Sequence, residues 1–134
     1  MIVVDTNVVS YLFIDGTFTS AAEQAYRKDE WCAPLLWRSE FRNVLTTYHR
    51  HHGLPLEECR QLMAEAERLF WNREFTVRSD AVFDRVGDSK RSAYDREFVA
   101  LASELGIRLV TTDAPVIKEF PQIAVHLRDY LKVT

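Results

Sequence analysis

The sequence is poor in glycine, and its few glycines stand apart from one another. Gly16, Gly53, Gly87 and Gly106 are the only glycines in 134 residues. Dinucleotide-binding loops and P-loops need several glycines within a few positions, because their backbone must approach a phosphate closely. The spacing therefore argues against an enzyme that holds a nucleotide cofactor in a glycine-rich cradle.

Cysteines and long apolar runs are also scarce. The chain has only Cys32 and Cys59, with no CxxC pair, so we expect two buried thiols in a reducing compartment. No stretch reaches the roughly 20 apolar residues that span a bilayer. The N-terminus lacks the basic start and the long apolar run of a signal peptide. These absences predict a cytoplasmic protein without a membrane segment.

An excess of positive charge is missing as well. The formal net charge is −3 at pH 7, which argues against a broadly basic surface for binding nucleic acid. This balance is still compatible with a local basic rim around an acidic site. The net charge alone therefore leaves a nucleic-acid substrate open.

What the chain does contain is a regular alternation of strand and helix patterns. The uninterrupted apolar run at 2–4 predicts a short, fully buried strand, and further short stretches predict strands at 31–34, 75–77, 107–111 and 123–127. Amphipathic stretches predict helices from Asn7, from Thr19 or Ser20 to Lys28, from Leu35 to His52, from Pro55, from Ser79 to Gly87, from Ser92 to Gly106 and from Ala114 to Phe120. The alternation predicts an α/β fold with a parallel sheet and helices on both faces. The length suits one domain, residues 1–134.

Four acidic residues fall where such a fold places its ligands. In an open parallel sheet, ligands bind beyond the carboxyl ends of the strands. Asp5 follows the first strand directly, and Asp113 follows LVTT, so it too leaves a strand at its carboxyl end. Asp95 lies in the first turn of a predicted helix, and Glu40 lies about one and a half turns into another. We expect these four acids to converge on one rim.

Convergence of like charges is stable only if a cation neutralises them. The candidate ligands are all oxygen donors, which favours Mg²⁺ or Mn²⁺. Such an ion activates a bound water and stabilises charge on a phosphoryl group, so the sequence points to metal-assisted phosphodiester hydrolysis. Singly, each of three acids has an ordinary interpretation as well: a helix-start charge for Asp95, a helix cap for Asp113 and a solvated side chain for Glu40. The joint placement carries the prediction.

Four polar residues beside the acids are candidates for a supporting role. A metal site needs groups that hold the carboxylate rotamers or a metal-bound water. The candidates are Thr6, Asn7, Thr111 and Asn43. A helix cap would equally explain Asn7, and strand propensity would equally explain Thr111.

Basic residues near the acids are candidates for binding the substrate. An acidic pocket repels phosphate unless cations lie beside it, and phosphate contacts position a nucleic acid without reading its sequence. The candidates for a basic, RNA-binding rim are Arg38, Arg42, Lys90, Arg91 and Arg96. The alternative for each is a solvated face with helical ion pairs.

Four segments carry the candidate site and its surroundings: IVVDTNVV at 2–9, SEFRNVL at 39–45, SAYDREFVALASELG at 92–106 and LVTTDAPVIKEFP at 109–121. Taken together, they resemble the PIN-domain family, especially the VapC-like toxins of bacterial toxin–antitoxin pairs. The match covers almost the whole chain in the family's order and spacing. It implies a PIN-like, Rossmann-like three-layer sandwich with a central parallel sheet of four to five strands.

The resemblance also implies an activity. It implies an endoribonuclease dependent on Mg²⁺ or Mn²⁺, whose catalytic and metal-binding acids map onto Asp5, Glu40, Asp95 and Asp113. Thr111 and Asn7 match the family's accessory polar positions. Toxins of this kind are similar in forming homodimers and in being silenced by a cognate antitoxin. Some members carry a further acid shortly after the last aspartate, and Pro115 and Val116 follow Ala114 here, which argues against a firmly held second metal.

One competing interpretation stays open. A PIN-like module can bind RNA or a protein partner without cutting it. The complete set of four acids favours the enzyme, because a binding module gains nothing from gathering unpaired negative charge. Binding of Mn²⁺ would distinguish the two interpretations.

Overall fold

The computed structural model describes residues 1–86 and 93–132, with the side chains of residues 93–95 left aside. The strands are β1 (Ile2–Val4), β2 (Trp31–Pro34), β3 (Glu74–Phe75), β4 (Leu109–Thr111) and β5 (Ala124–His126). The helices are α1 (Thr6–Phe13), α2 (Thr19–Lys28), α3 (Leu36–His52), α4 (Leu56–Leu69), α5 (Ser79–Val86), α6 (Ala93–Leu105), α7 (Ala114–Glu119) and α8 (Leu127–Lys132).

All five strands are parallel and form one sheet in the order β3-β2-β1-β4-β5. The chain runs outward from β1 through β2 to β3 and then crosses to β4 on the other side of β1. Parallel crossovers are right-handed, so this reversal puts helices on both faces of the sheet. The prediction of an α/β fold with a central parallel sheet is confirmed, and the sheet has five strands.

The strands form because their residues are apolar on both faces. Every residue of β1, β2 and β4 is buried, as expected for strands covered by helices on both sides. From α3, Trp37, Phe41 and Leu45 join the core, and their spacing of three to four positions puts them on one helical face. From α6, Phe98 and Leu101 enter the same core. The hydrophobic pattern of the long helices was therefore a reliable guide to their buried faces.

The helix boundaries follow local chemistry. Gly53 ends α3 in the left-handed conformation, with φ of 70°, a conformation that costs glycine little. Pro55, expected in the first turn of α4, lies at the position just before that helix instead. The C-terminal turn of α3 carries His49, Arg50, His51 and His52, where basic groups complement the helix dipole.

The end of the chain differs from the sequence-based prediction. The strand expected at 123–127 ends at His126, and the six-residue helix α8 follows it. Tertiary contacts hold this helix against α2: Lys28 Nζ donates to the carbonyl of Tyr130 at 2.9 Å, and the Tyr130 hydroxyl donates to Asp29 Oδ2 at 3.0 Å. A helix of this length has too little periodic pattern to be recognised by itself.

Within the described ranges, none of the helices is both long and apolar enough to cross a bilayer. Cys32 is buried and Cys59 is half-buried, and both are free thiols. The predicted capping box that begins at Ser92 lies outside the described residues.

Candidate active site

A cleft of about 260 Å³ opens at the carboxyl edge of the sheet. The cleft lies between the ends of the neighbouring strands β1 and β4. After β1 the chain continues to β2 on one side of the sheet, and after β4 it continues to β5 on the other side. Ligands usually bind at this point of an open parallel sheet. Three of the four predicted acids line the cleft, and its other walls come from α1, α3, α6 and α7. The lining residues are Asp5, Thr6, Asn7, Glu40, Asn43, Val44, Phe98, Leu109, Thr111, Asp113 and Val116.

Asp5 stands between β1 and α1 with both carboxylate oxygens engaged. Oδ1 accepts a hydrogen bond from the backbone N–H of Val8 at 3.0 Å, which caps α1. Oδ2 accepts a hydrogen bond from the hydroxyl of Thr111, at the end of β4. These two hydrogen bonds fix the rotamer of a half-buried carboxylate in the cleft between the ends of β1 and β4.

The surroundings of Asp5 disfavour its charged form. Burial is the largest of the effects that together raise the pKa of the Asp5 carboxyl from 3.8 to about 6, and the hydrogen bonds from Thr111 and Val8 only partly offset it. The negative charges of Asp113 and Glu40 contribute smaller increases to the same shift. Both carboxylates are therefore close enough to Asp5 to repel it, and a cation or a proton would relieve that repulsion.

Glu40 reaches the cleft from the second turn of α3. The hydroxyl of Thr6 donates to Glu40 Oε1 at 2.6 Å. Thr6 is buried and directly follows Asp5. This hydrogen bond ties α3 to the start of α1 and holds the second carboxylate beside the first.

Asp113 leaves the end of β4 and both caps a helix and lines the cleft. Its Oδ1 accepts from the backbone N–H of Val116 at 3.3 Å, at the start of α7. Its own backbone N–H donates to Thr111 Oγ1 at 3.0 Å. Thr111 therefore bridges Asp5 and Asp113, and the capping and cleft interpretations of Asp113 hold together.

The two predicted amides are placed differently from the two threonines. Asn7 and Asn43 line the cleft and are exposed, whereas Thr6 and Thr111 are buried and contact carboxylates. The functional role of all four stays a prediction. The side chain of Asp95, the fourth predicted acid, lies outside the described residues.

The donor chemistry of the cleft fits a hard divalent cation. Carboxylates and amides line it, and no histidine or cysteine is among the described residues of its wall, which matches the oxygen preference of Mg²⁺ and Mn²⁺. Across the described side chains, no three His, Cys, Asp or Glu residues are grouped closely enough to hold a metal ion. The ligand set of the four acids stays a prediction.

A model of the PIN domain matches residues 2–121. The chain belongs to the PIN-domain family. Among solved structures, the crystal structure of FitAcB from Neisseria gonorrhoeae is similar with a TM-score of 0.74 and 14% identity, over 96% of this chain and 99% of that one. The structure of FitAB bound to an IR36 DNA fragment is similar with a TM-score of 0.71 and 15% identity, over 95% of each chain. At these identities the likeness shows the PIN fold, and no curated protein matches the sequence.

The basic rim predicted around the PIN-domain cleft is wrong at Arg96. This residue lies in α6 with a fully buried side chain, and its Nη2 donates to Glu119 Oε2 at 3.1 Å. The guanidinium also lies 5.2 Å from the centre of the Phe120 ring. The position after Asp95 in the helix faces the packing between α6 and α7, so Arg96 does not offer its charge to solvent.

Arg38 and Arg42 lie away from Glu40, and their role in RNA binding stays a prediction. Residues two positions apart in a helix point about 200° apart, so both arginines lie on the other side of α3. Arg38 donates from Nε and Nη2 to Glu74 at 2.6 and 2.7 Å, and Arg42 donates to Ser39 Oγ at 3.2 Å. Lys90 and Arg91 lie outside the described residues.

The apolar wall of the PIN-domain cleft was not predicted from the sequence. Val44, Phe98, Leu109 and Val116 line the cleft beside the acids. Each of them also belongs to a core-facing pattern of its own helix or strand, so the sequence carries no signal that separates them from the rest of the core. Their effect is to place the carboxylates against a low-dielectric surface, which strengthens every charge interaction there.

Proposed function

We propose that this PIN domain is an endoribonuclease that hydrolyses RNA phosphodiester bonds with Mg²⁺ or Mn²⁺. The observation that carries the proposal is the cleft itself, in which Asp5, Glu40 and Asp113 line one cavity and burial, together with the charges of Asp113 and Glu40, raises the pKa of Asp5. A carboxyl group with a perturbed pKa, in a cleft at the carboxyl edge of a sheet, is typical of catalytic sites. Membership of the PIN family supports a nuclease.

The described residues have separate tasks in this proposal. Asp5, Glu40 and Asp113, together with Asp95, would hold the divalent cation, which supplies neutralising charge and an activated water. Thr111 holds the carboxylate of Asp5 and accepts a hydrogen bond from the backbone of Asp113, and Thr6 orients Glu40. The apolar wall limits access of bulk water to the carboxylates.

We also propose that the protein is the toxin of a toxin–antitoxin pair, a cytoplasmic homodimer silenced by a cognate antitoxin. The segments that resemble VapC-like toxins support this proposal, as does the structural likeness to FitAB, which was solved bound to DNA. The expected observation is an adjacent reading frame for a small DNA-binding protein. Co-purification of that protein, with loss of RNase activity in the complex, would test the pairing directly.

One observation favours a second candidate, a PIN-like module that binds RNA or protein without cutting. The described side chains contain no group of three acids close enough for a metal. Titration calorimetry with Mn²⁺ separates the two functions: the nuclease binds the ion and Asp113→Asn weakens that binding, whereas the binding module shows no heat of binding.

The direct test is cleavage of labelled RNA by the full chain with Mg²⁺ or Mn²⁺ and with EDTA. We expect metal-dependent cleavage by the wild type and its loss in Asp113→Asn, with unchanged circular dichroism. Asp129→Asn is the matched control, because Asp129 lies in α8 and pairs with Lys132 at 3.4 Å, outside the cleft. Wild-type cleavage by Asp113→Asn would overturn the assigned site.

A further inference from the structure

A cationic and aromatic surface lies beside the cleft, at the carboxyl end of β5. In the register of the sheet, His126 of β5 is paired with Thr111 of β4, and adjacent strands are about 4.8 Å apart. Thr111 is the residue that holds Asp5. The end of β5 is therefore the next strand position along the same edge of the sheet.

Three aromatic side chains link this strand end to the cleft. The rings of Tyr11 and Phe18 are 5.0 Å apart, and those of Phe18 and His126 are 5.9 Å apart. The hydroxyl of Tyr11 lies 2.9 Å from the hydroxyl of Thr112, which is next to Asp113 in the chain. We call the surface formed by Tyr11, Phe18, His126 and Arg128 the β5 patch.

Arg128 supplies the positive charge of the β5 patch. Its guanidinium lies 4.7 Å from the centre of the Phe18 ring, and the residue is exposed. Within the described part of the chain, no carboxylate comes within ion-pair distance of it. Arg38 and Arg96, in contrast, are neutralised by Glu74 and Glu119, so the charge of Arg128 is available to a ligand in a way that theirs is not.

His126 adds an oriented donor. Its Nδ1 accepts a hydrogen bond from the backbone N–H of Arg128 at 3.1 Å. This bond leaves the ring proton of the neutral imidazole on Nε2, which becomes a donor for an acceptor oxygen. The packing of His126 against Phe18 restricts the orientation of the ring.

We propose that the β5 patch binds the sugar–phosphate backbone of single-stranded RNA at a nucleotide flanking the scissile phosphate. Arg128 contacts a phosphate, and His126 Nε2 donates to a phosphate or sugar oxygen. An acidic cleft repels its own substrate, so a cation at the same sheet edge offsets that repulsion for the neighbouring phosphates. The contacts are to the backbone and so are independent of base sequence. The proposal rests on the proposed ribonuclease function.

The test measures binding apart from cleavage. Fluorescence anisotropy with a labelled single-stranded RNA, in EDTA and over a range of salt concentrations, follows binding to the wild type and to Arg128→Ala. We expect roughly fivefold weaker binding, similar for several RNA sequences, and a salt slope reduced by about 0.7, the value for one phosphate contact on a single strand. Arg128→Lys keeps the charge and should restore most of the slope.

Arg27→Ala is the matched control, since it removes the same charge from the opposite edge. Arg27 lies in the last turn of α2, just before β2 begins, and lines a separate cavity with Trp31. We expect its RNA affinity to stay within twofold of the wild type (a threshold of roughly 0.4 kcal/mol). Equal weakening by Arg27→Ala and Arg128→Ala would overturn the patch, because the effect would then reflect net charge alone.

The two proposals fail in different ways. RNA binding that depends on Arg128, without cleavage by the wild type, would support the patch and overturn the nuclease. Metal-dependent cleavage with unchanged RNA affinity in Arg128→Ala would support the nuclease and overturn the patch. Weakened binding of single-stranded DNA with unchanged RNA binding would also overturn the patch as proposed.

Discussion

Asp5, at the end of β1, and Glu74, in β3, are two half-buried carboxylates whose environments shift their pKa values in opposite directions. Glu74, in β3, accepts hydrogen bonds from Arg38 and from the indole N–H of Trp37 at 2.7 Å. The hydrogen bond and charge of Arg38 hold the pKa of Glu74 below its usual range, although burial opposes them. Asp5 accepts only neutral donors and faces two carboxylates, and burial raises its pKa to about 6.

The difference separates a carboxylate that the fold itself neutralises from one that it leaves without a counter-charge among the described residues. Glu74 has a counter-charge supplied by its own fold, so its carboxylate is satisfied without a ligand. Asp5 has donors that fix its orientation but no described cation that balances its charge. A carboxylate that is held in place yet electrostatically unbalanced is suited to bind a cation from solution.

The largest expected effect is the loss of cleavage in Asp5→Asn. Asparagine keeps the shape of the side chain and the cap on Val8 but removes the charge that would hold a divalent ion. We expect metal-dependent RNA cleavage to fall by more than about 100-fold, since even changes to groups behind metal ligands cost roughly 10- to 100-fold. Initial rates with labelled RNA measure this. An equal loss of activity in Glu74→Gln would contradict the distinction between Asp5 as a cation ligand and Glu74 as a carboxylate neutralised by the fold.

Thr111→Val should have the next largest effect on activity. It removes the hydroxyl that donates to Asp5 and accepts from the backbone of Asp113, while keeping a buried β-branched side chain. We expect roughly 10- to 100-fold slower cleavage and weaker Mn²⁺ binding by calorimetry. Thr111→Ser, which retains the hydroxyl, should recover most of both; equal losses in the two variants would show that the methyl group and not the hydroxyl matters.

Asp5 should also leave a signature in the pH dependence of stability without metal. Its pKa is raised on folding, so the native state binds a proton between about pH 4 and pH 6 that the unfolded state does not. This contribution to stability is therefore present below the unfolded pKa and lost as pH rises through about 6. In EDTA, we expect the free energy of unfolding of Asp5→Asn, minus that of the wild type, to increase from pH 4 to pH 6 by on the order of 2 kcal/mol.

Urea unfolding of both proteins at several pH values measures that difference. Using the difference between the two proteins cancels the titration of other groups that they share. A stability difference that stays constant from pH 4 to pH 7 would contradict the raised pKa. Addition of Mn²⁺ at neutral pH should stabilise the wild type more than Asp5→Asn, because only the wild type retains the full set of ligands.

Glu74→Gln should give the smallest effect, on stability alone. Its lowered pKa means that the charged form stabilises the fold above the usual pKa and that this contribution is lost as pH falls through the folded pKa. We expect a loss of about 1 kcal/mol at neutral pH, because Arg38 is partly exposed and water screens the pair. Urea unfolding at pH 7 measures the loss, and RNA cleavage at a permissive temperature should stay at the wild-type rate.

Several features of the fold could be predicted from local patterns. Apolar runs located β1, β2 and β4, and the spacing of Trp37, Phe41 and Leu45 located the buried face of α3. Asp5 and Asp113 could be placed near each other because each follows a strand, and parallel strands end at the same edge of a sheet. These predictions needed only the periods of strands and helices and the geometry of a parallel sheet.

Other features depend on how elements pack, and local patterns did not identify them. Arg96 was expected at the surface because arginine usually is, but its side chain is buried between α6 and Phe120. Arg38 was expected beside Glu40 because the two are close in sequence, but it faces Glu74 from another strand. The β5 patch joins residues from α1, the start of α2, β5 and α8, which no sequence window contains.

The amino-acid sequence by itself determined the order of the strands and of helices α1 to α7, the buried faces of the long helices and the strand ends at which Asp5 and Asp113 stand. Only the tertiary structure decided which charges are neutralised. Glu74 pairs with Arg38 and Glu119 with Arg96, whereas Asp5 lies near two carboxylates of the same charge. The physical reason is the distance over which each effect acts. Periodicity and capping act within one or two turns of the chain, whereas the charge that balances a carboxylate is supplied by whichever element packs within a few ångströms of it.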